Sequence, residues 1–311
     1  MDTVAVLLEE PMRLSLARLD LAEPGEADVV VDVAFSGIST GTERLLWSGR
    51  MPPFPGLGYP LVPGYESVGT VVAAGPGSGR RVGETVFVPG SNGFVGARGL
   101  FGGAARRIVA RGARVLPIDP ALGEQGVLLA LAATARHAYP DPAHQPDLIV
   151  GHGVLGRLLA RLAVAHGTTP MVWETNPARR DGATGYAVVH PDADRGGPYR
   201  AICDVSGDAT ILDTLISHLA PQGEIVLAGF YADRLAFTFP PAFMREARIR
   251  IAAEWKPKDL VAVSQLIGSG RLSLAALITH HATADRAAEA YKTAFTDPAC
   301  LKMVLDWRGV S

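Results

Sequence analysis

Residues 148–167 read LIVGHGVLGRLLARLAVAHG. Three apolar residues suited to a buried strand run straight into Gly151-His152-Gly153-Val154-Leu155-Gly156. An amphipathic helix follows, with Leu155, Leu158, Leu159, Leu162 and Ala163 at helical spacing. A lone G-x-G-x-x-G has little force in a chain with 35 glycines. One that closes a strand and opens a helix reads as the dinucleotide turn of a doubly wound α/β fold. Gly151 permits the sharp turn, Gly153 lets the backbone approach a pyrophosphate, and Gly156 allows close packing of helix on strand. The free N–H groups at the helix start, Val154 and Leu155, add positive potential for an anion.

A second strand-like run, Met171–Glu174, ends in a carboxylate 23 residues past Gly151. A carboxylate there accepts both ribose hydroxyls and repels a 2′-phosphate, so the expected cofactor is NAD rather than NADP. Arg179 and Arg180 are the opposing signal and are read as a solvated helix start; His152 is read as exposed. Ser206, Gly229 and Phe230 fall at the C-terminal ends of later strand-like runs, where the cofactors of such sheets lie.

Further downstream, strand-like runs at Tyr186–Val189, Ala201–Val205, Glu224–Gly229 and Ile249–Ala253 go with helical patterns at Thr210–Leu219 and Asp259–Ile267. This alternation predicts a parallel sheet with right-handed crossovers. A helix is expected over Ala121–Tyr139, a strand over Ala276–Thr279, an Ala-rich helix after Thr283 and a final strand over Leu301–Trp307. Upstream the grammar differs. Short β-like runs (Val4–Leu8, Asp28–Phe35, Ser67–Ala73, Thr85–Pro89, Ala105–Ala110) are punctuated by Pro24-Gly25, Pro76-Gly77 and Gly102-Gly103, the pattern of a barrel or sandwich. The expected boundary lies near residue 118, with the dinucleotide domain over 119–269.

Composition narrows the function. Hydrophobic residues at 48% and charged residues at 19% describe a soluble globular chain. A formal net charge of −2 gives no basis for binding nucleic acid or an anionic membrane. Cys203 and Cys300, far apart, make neither a disulfide framework nor a metal pair, so a reducing cytoplasm is expected. No leader is expected from the first residues, and the apolar run Gly126–Ala135 falls short of the about 20 residues that span a bilayer.

The segments SGISTGTE (Ser36–Glu43), VPGYESVGTVVAAG (Val62–Gly75), RVGETVFV (Arg81–Val88) and GGAARRIV (Gly102–Val109), with GHGVLG and DVSG (Asp204–Gly207), resemble the medium-chain dehydrogenase/reductase superfamily. The resemblance covers essentially the whole chain. It implies a GroES-like first domain, completed by residues from about 270 to 311, before and after a Rossmann domain. Zinc-dependent members carry cysteine where Ser39 or Thr40 stands and histidine where Tyr65 stands. Between Met1 and Arg136 this chain has neither residue type, so no catalytic metal is expected. Nor does any lysine precede Lys256, which leaves Ser39, Thr40, Thr42, Glu43, Tyr65 and Glu66 as the polar groups.

Longer segments, SGISTGTERLLWSGRMPPFPGLGYPLVPGYESVG, RGLFGGAARRIV and DLIVGHGVLGRLLARLA, resemble the bacteriochlorophyllide hydroxyethyl dehydrogenases of bacteriochlorophyll biosynthesis. That implies NAD-dependent oxidation of a 3-(1-hydroxyethyl) group to 3-acetyl. Tyr65 is then expected to bond the carbinol oxygen, Thr42 to relay its proton, and Glu66 to orient Tyr65 or raise its basicity. Ser39, Arg44, Trp47, Met51, Phe54 and Tyr59 are the candidate contacts for the macrocycle, although the Trp47–Tyr59 loop reads equally well as packed on its own barrel. Two rivals stand beside this reading: a zinc-free NADPH-dependent quinone or enone reductase, and a non-catalytic porphyrin carrier. A homodimer is the assembly weighed, and loose association with a photosynthetic membrane is left open.

Overall fold

Six short strands set side by side make the sheet that the glycine turn belongs to. In the computed structural model, which describes residues 1–310, their order is Ala187–Val189, Met171–Trp173, Leu148–Val150, Tyr199–Asp204, Leu219–Leu227 and Arg248–Ile251. Every neighbouring pair is parallel. Parallel strands need crossovers, and the helices Val154–Ala165 and Leu212–His218 supply two of them. Leu148, Val150, Trp173, Ile202, Leu215, Ile225 and Leu227 are buried together, which explains the near-continuous apolar strands. These elements lie in one compact unit, residues 131–276.

The other unit comprises residues 1–130 and the chain from Leu277 onward. A sheet runs in the order His280–Thr283, Met303–Asp306, Asp28–Ile38, Ser67–Ala74, Thr85–Val88 and Leu116–Pro117, with Arg107–Arg111 also pairing Asp28–Ile38. A smaller sheet orders Arg13–Asp20, Asp2–Glu10, Leu61–Val62 and Arg98–Gly99. Valines from the inner faces (Val6, Val29, Val31, Val71, Val86), with Ile108, Leu305 and Trp307, fill the space between.

Several elements differ from expectation. Residues 121–139 are not one helix: a 3-10 stretch, Pro120–Leu128, precedes the α-helix Leu129–Ala138. Gly123, at φ 49° and ψ −130°, breaks the helical path. The strand expected at Ala276–Thr279 lies instead at His280–Thr283, on the edge of the sheet, where polar HHAT alternates half-buried and exposed. Arg13–Asp20 is an unforeseen strand, half-buried or exposed along its length, whose charged outer residues mask the alternation.

Candidate active site

Three strand ends converge in the first unit. Ile38 pairs with Met303 and Ser36 with Ser67, both antiparallel. The residues just beyond those pairs, Ser39, Glu66 and Lys302, therefore meet at one end of the sheet. Lys302 Nζ donates to Glu66 Oε2 at 2.6 Å and to Ile38 O at 3.3 Å, and neither side chain reaches solvent. The absence of a side chain at Gly37 makes room, since a Cβ there would collide with Glu66 Oε2. Glu66 Oε1 is buried without a hydrogen-bond partner. Burial pushes the Glu66 carboxyl up, against the pull of the Lys302 ammonium.

Tyr65 stands beside this pair, half-buried, its hydroxyl donating to Ser39 Oγ at 2.6 Å with the Thr42 hydroxyl also in reach. Burial pushes the phenol well up, the Glu66 charge and then that of Glu43 push further, and the Ser39 and Thr42 hydroxyls pull back. Tyr65 is thus a neutral hydrogen-bonding phenol at physiological pH. The short helix Thr42–Trp47 carries Glu43, which is fully buried. Its Oε1 accepts from Ser39 N at 2.8 Å and its Oε2 from the Tyr291 hydroxyl at 2.7 Å. Phe101 lies edge-on to Tyr65, with ring centroids 5.3 Å apart, and Phe54 follows it at 6.4 Å.

The glycine turn in the second unit is built from backbone. Gly151 has φ 102°, open to glycine at little cost, and Gly156 is required because a Cβ there would collide with Gly151 O. A Cβ at Gly153 would meet nothing, so that side of the turn is open. Gly153 caps the helix Val154–Ala165 with no side chain bonded to its first N–H groups. This is the cradle that a pyrophosphate fits. Glu174 Oε2 accepts from His152 N at 3.0 Å and its Oε1 from Asn176 N at 2.8 Å, which holds the carboxylate at the turn with lone pairs to spare. Arg180 donates to Glu174 O and Thr175 O, so its guanidinium is occupied by backbone. Ser206 is exposed, Gly229 and Phe230 follow the strand Leu219–Leu227, and between them the buried Asp204 accepts the Tyr231 hydroxyl at 2.6 Å.

His152 is buried, contrary to expectation. Its Nδ1 lies 2.6 Å from Arg179 O and its Nε2 2.9 Å from the Tyr186 hydroxyl. A carbonyl only accepts, so Nδ1 carries the proton and Nε2 accepts from Tyr186. Burial pushes the ring down to about 4, which keeps it neutral. Arg157 completes the clamp, donating to His152 O, Arg179 O and Asp181 O.

Comparison with known proteins fits this geometry. Residues 25–120 match the alcohol dehydrogenase GroES-like domain. The chain is 58% identical over 311 residues to the 2-desacetyl-2-hydroxyethyl bacteriochlorophyllide A dehydrogenase of Rhodobacter capsulatus, covering 99% of each. The chain belongs to the 2-desacetyl-2-hydroxyethyl bacteriochlorophyllide A dehydrogenase family. A relative of the same name from Cereibacter sphaeroides is also 58% identical, over the full length of both chains. A short chain alcohol dehydrogenase of Escherichia coli, solved with NADH, shares the fold at a TM-score of 0.84 and 21% identity, covering 98% of this chain and 99% of that one.

Within this family fold, the residues present do not fit a catalytic zinc. Among the described residues no three His, Cys, Asp or Glu side chains form a ligating group. Glu66 is neutralised by Lys302, and Glu43 is held by Ser39 and Tyr291. The expectation of a lysine-free site is overturned. Lys302, 236 residues after Glu66, enters through the register of the final strand. The clue was a lone cation heading an apolar run, CLKMVL, because a buried lysine needs a partner. Tyr291 and Phe101 were likewise unforeseen. Arg44 is exposed. Trp47 packs on Phe295, Met51 is buried with Leu8, Leu46 and Leu61, and Tyr59 donates to Leu46 O. The Trp47–Tyr59 loop thus packs largely on its own unit, and Phe54 is its aromatic side chain lying against Phe101.

Proposed function

We propose that this chain oxidises the 3-(1-hydroxyethyl) group of a bacteriochlorophyllide to 3-acetyl, as an NAD-dependent secondary-alcohol dehydrogenase that works without a metal. The observation that carries the substrate is the 58% identity, end to end, with a relative named for that reaction. When bound, the nicotinamide supplies the hydride acceptor. Gly151, Gly153, Gly156 and the N–H groups of Val154 and Leu155 hold its pyrophosphate, Glu174 its ribose, and Ser206, Gly229 and Phe230 line the same strand ends. The preference for NAD is supported by Glu174 at the turn and by an Arg180 guanidinium already bonded to backbone.

The alcohol chemistry belongs to Tyr65. Its hydroxyl bonds the carbinol oxygen; as the carbinol proton moves onto the Tyr65 oxygen, the phenol's own proton moves to the Ser39 or Thr42 hydroxyl, and half-buried Thr42 releases a proton to solvent. Burial and the charge of Glu66, itself balanced by Lys302, keep the phenol un-ionised, so Tyr65 relays the proton and does not store it. Phe54, Phe101 and the Tyr65 ring offer edges against which a flat macrocycle packs. Positive charge developing at the carbinol carbon spreads into the macrocycle's π-system, which lessens the need for a Lewis acid.

A homodimer is supported by the second unit. Its edge strand Arg248–Ile251 exposes Ile249 and Ile251 beside exposed Phe239, Phe243 and Met244. Light scattering that gave only the monomer mass would remove it. No helix among the described residues is long and apolar enough to cross a membrane, and the proposed location is the cytoplasm. The test of the function is NADH formation, read by absorbance, from hydroxyethyl bacteriochlorophyllide with EDTA present and NADP⁺ run in parallel. NADH formation also rejects a non-catalytic carrier. Loss of activity to the chelator overturns the metal-free reading, and preference for NADP⁺ overturns the cofactor.

A further inference from the structure

Ser39 and Glu43 bracket a single turn. Ser39 N–H donates to Glu43 Oε1 at 2.8 Å, and Glu43 N–H donates to Ser39 O at 3.1 Å. The carboxylate therefore closes the turn that carries the acceptor for Tyr65. Its outer oxygen takes the hydroxyl of Tyr291, from the helix Ala287–Thr296, at 2.7 Å. Both oxygens act as acceptors in a site with no solvent contact. Only the ionised carboxylate can do this without rearrangement. A protonated acid must turn one oxygen into a donor, and the Ser39 N–H cannot receive it. The added proton then points at Tyr291, whose own hydrogen has to find another acceptor among buried groups.

We propose that Glu43 is a positioning residue for alcohol oxidation: clamped by Tyr291, its ionised carboxylate holds the Ser39 turn against Tyr65, and turnover falls when it takes up a proton. This rests on Tyr65 being the alcohol-binding hydroxyl. The groups facing Glu43 set where that happens. Burial pushes its carboxyl up to about 7, the Tyr291 hydroxyl and Ser39 N–H pull it down, the Glu66 charge pushes it up and the Lys302 ammonium pulls it down. Tyr65 is a neutral phenol there, and Arg44 on the same short helix is exposed. Both forms of Glu43 are therefore populated under physiological conditions.

The experiment is the pH profile of kcat and of KM for NAD⁺, measured on the full chain with hydroxyethyl bacteriochlorophyllide. Wild type, Glu43→Gln, Tyr291→Phe and Tyr65→Phe are compared, with folding checked by circular dichroism. Gln fills the same space, still accepts from Ser39 and cannot titrate. Wild-type kcat should fall as pH drops below about 7. Glu43→Gln should lack that limb and run roughly tenfold slower at about pH 8, with KM for NAD⁺ unchanged. Tyr291→Phe removes a bond that favours the anion, so its limb should move to higher pH, and this variant carries the test should Glu43→Gln not fold. A wild-type limb retained in Glu43→Gln, or one unmoved in Tyr291→Phe, overturns the proposal. Should Tyr65→Phe lose turnover while Glu43→Gln does not, this inference falls alone. If wild type reduces no NAD⁺ with this substrate, the functional reading beneath it falls.

Discussion

Glu174 and Glu66 are both buried carboxylates beside a glycine-shaped turn, and they are held in opposite ways. Glu174 accepts two backbone N–H groups, from His152 and Asn176. Glu66 accepts from one ammonium, and its second oxygen has no partner. The first arrangement spreads the stabilisation over backbone N–H groups that no substitution but proline removes. The second concentrates it in one side chain. A ribose-binding carboxylate has to keep lone pairs free for hydroxyls, and a carboxylate that tunes a neighbouring phenol has to keep its charge dry. The difference therefore follows from the work each is assigned.

Removing the cation should break the comparison most violently. Lys302→Met leaves Glu66 buried and uncompensated, which costs about 3–5 kcal/mol in thermal unfolding. The double variant Lys302→Met/Glu66→Leu should recover much of it, and a single variant as stable as wild type would show that the pair is not coupled. Glu43 gives the next effect. Burial pushes its carboxyl from the ordinary 4.5 up to about 7, so between these pH values the native state holds a proton that the unfolded state has released. Its contribution is fully present below the lower value and is lost as pH rises through the higher one, by about 3 kcal/mol. Denaturant titrations across that range should show Glu43→Gln with a shallower decline than wild type; parallel curves would contradict the shift.

Tyr65→Phe should lower kcat by roughly 10²-fold, about 2.7 kcal/mol of barrier, with little change in NAD⁺ affinity. Near-normal turnover would reject its role. The smallest expected effect sharpens the other side of the comparison. Gly153→Ala places a methyl where nothing in the protein stands, so stability should change by under about 0.5 kcal/mol while NAD⁺ affinity drops. Calorimetry that finds unaltered NAD⁺ binding would take the pyrophosphate away from that turn.

The two regions were unequally legible. The strand, turn, helix and carboxylate from which the glycine turn is read are spelled out in order between Leu148 and Glu174. The Tyr65 cluster draws on Ser39, Thr42, Glu43, Glu66, Tyr291 and Lys302, and its longest bond spans 264 residues. Tyr65, Thr42 and Glu66 could be singled out because they stand near each other in short motifs. Lys302 and Tyr291 could not, because only the pairing of Met303 with Ile38 and the seating of the helix Ala287–Thr296 bring them in. The burial of His152 was hidden for the same reason: Tyr186, its partner, lies 34 residues on. The edge strand His280–Thr283 shows a different limit. Its register comes from hydrogen bonds to Met303–Asp306 rather than from a side-chain pattern.

The return of the chain to its first unit also orders events during synthesis. Glu43 and Glu66 leave the ribosome long before Tyr291 and Lys302, with the whole of residues 131–276 made in between. Through that interval the two carboxylates have neither their cation nor their phenol, and nothing yet offsets the cost of burying them. Residues 131–276 are complete before that cluster is, and Glu66 gains its cation only when the strand led by Lys302 arrives.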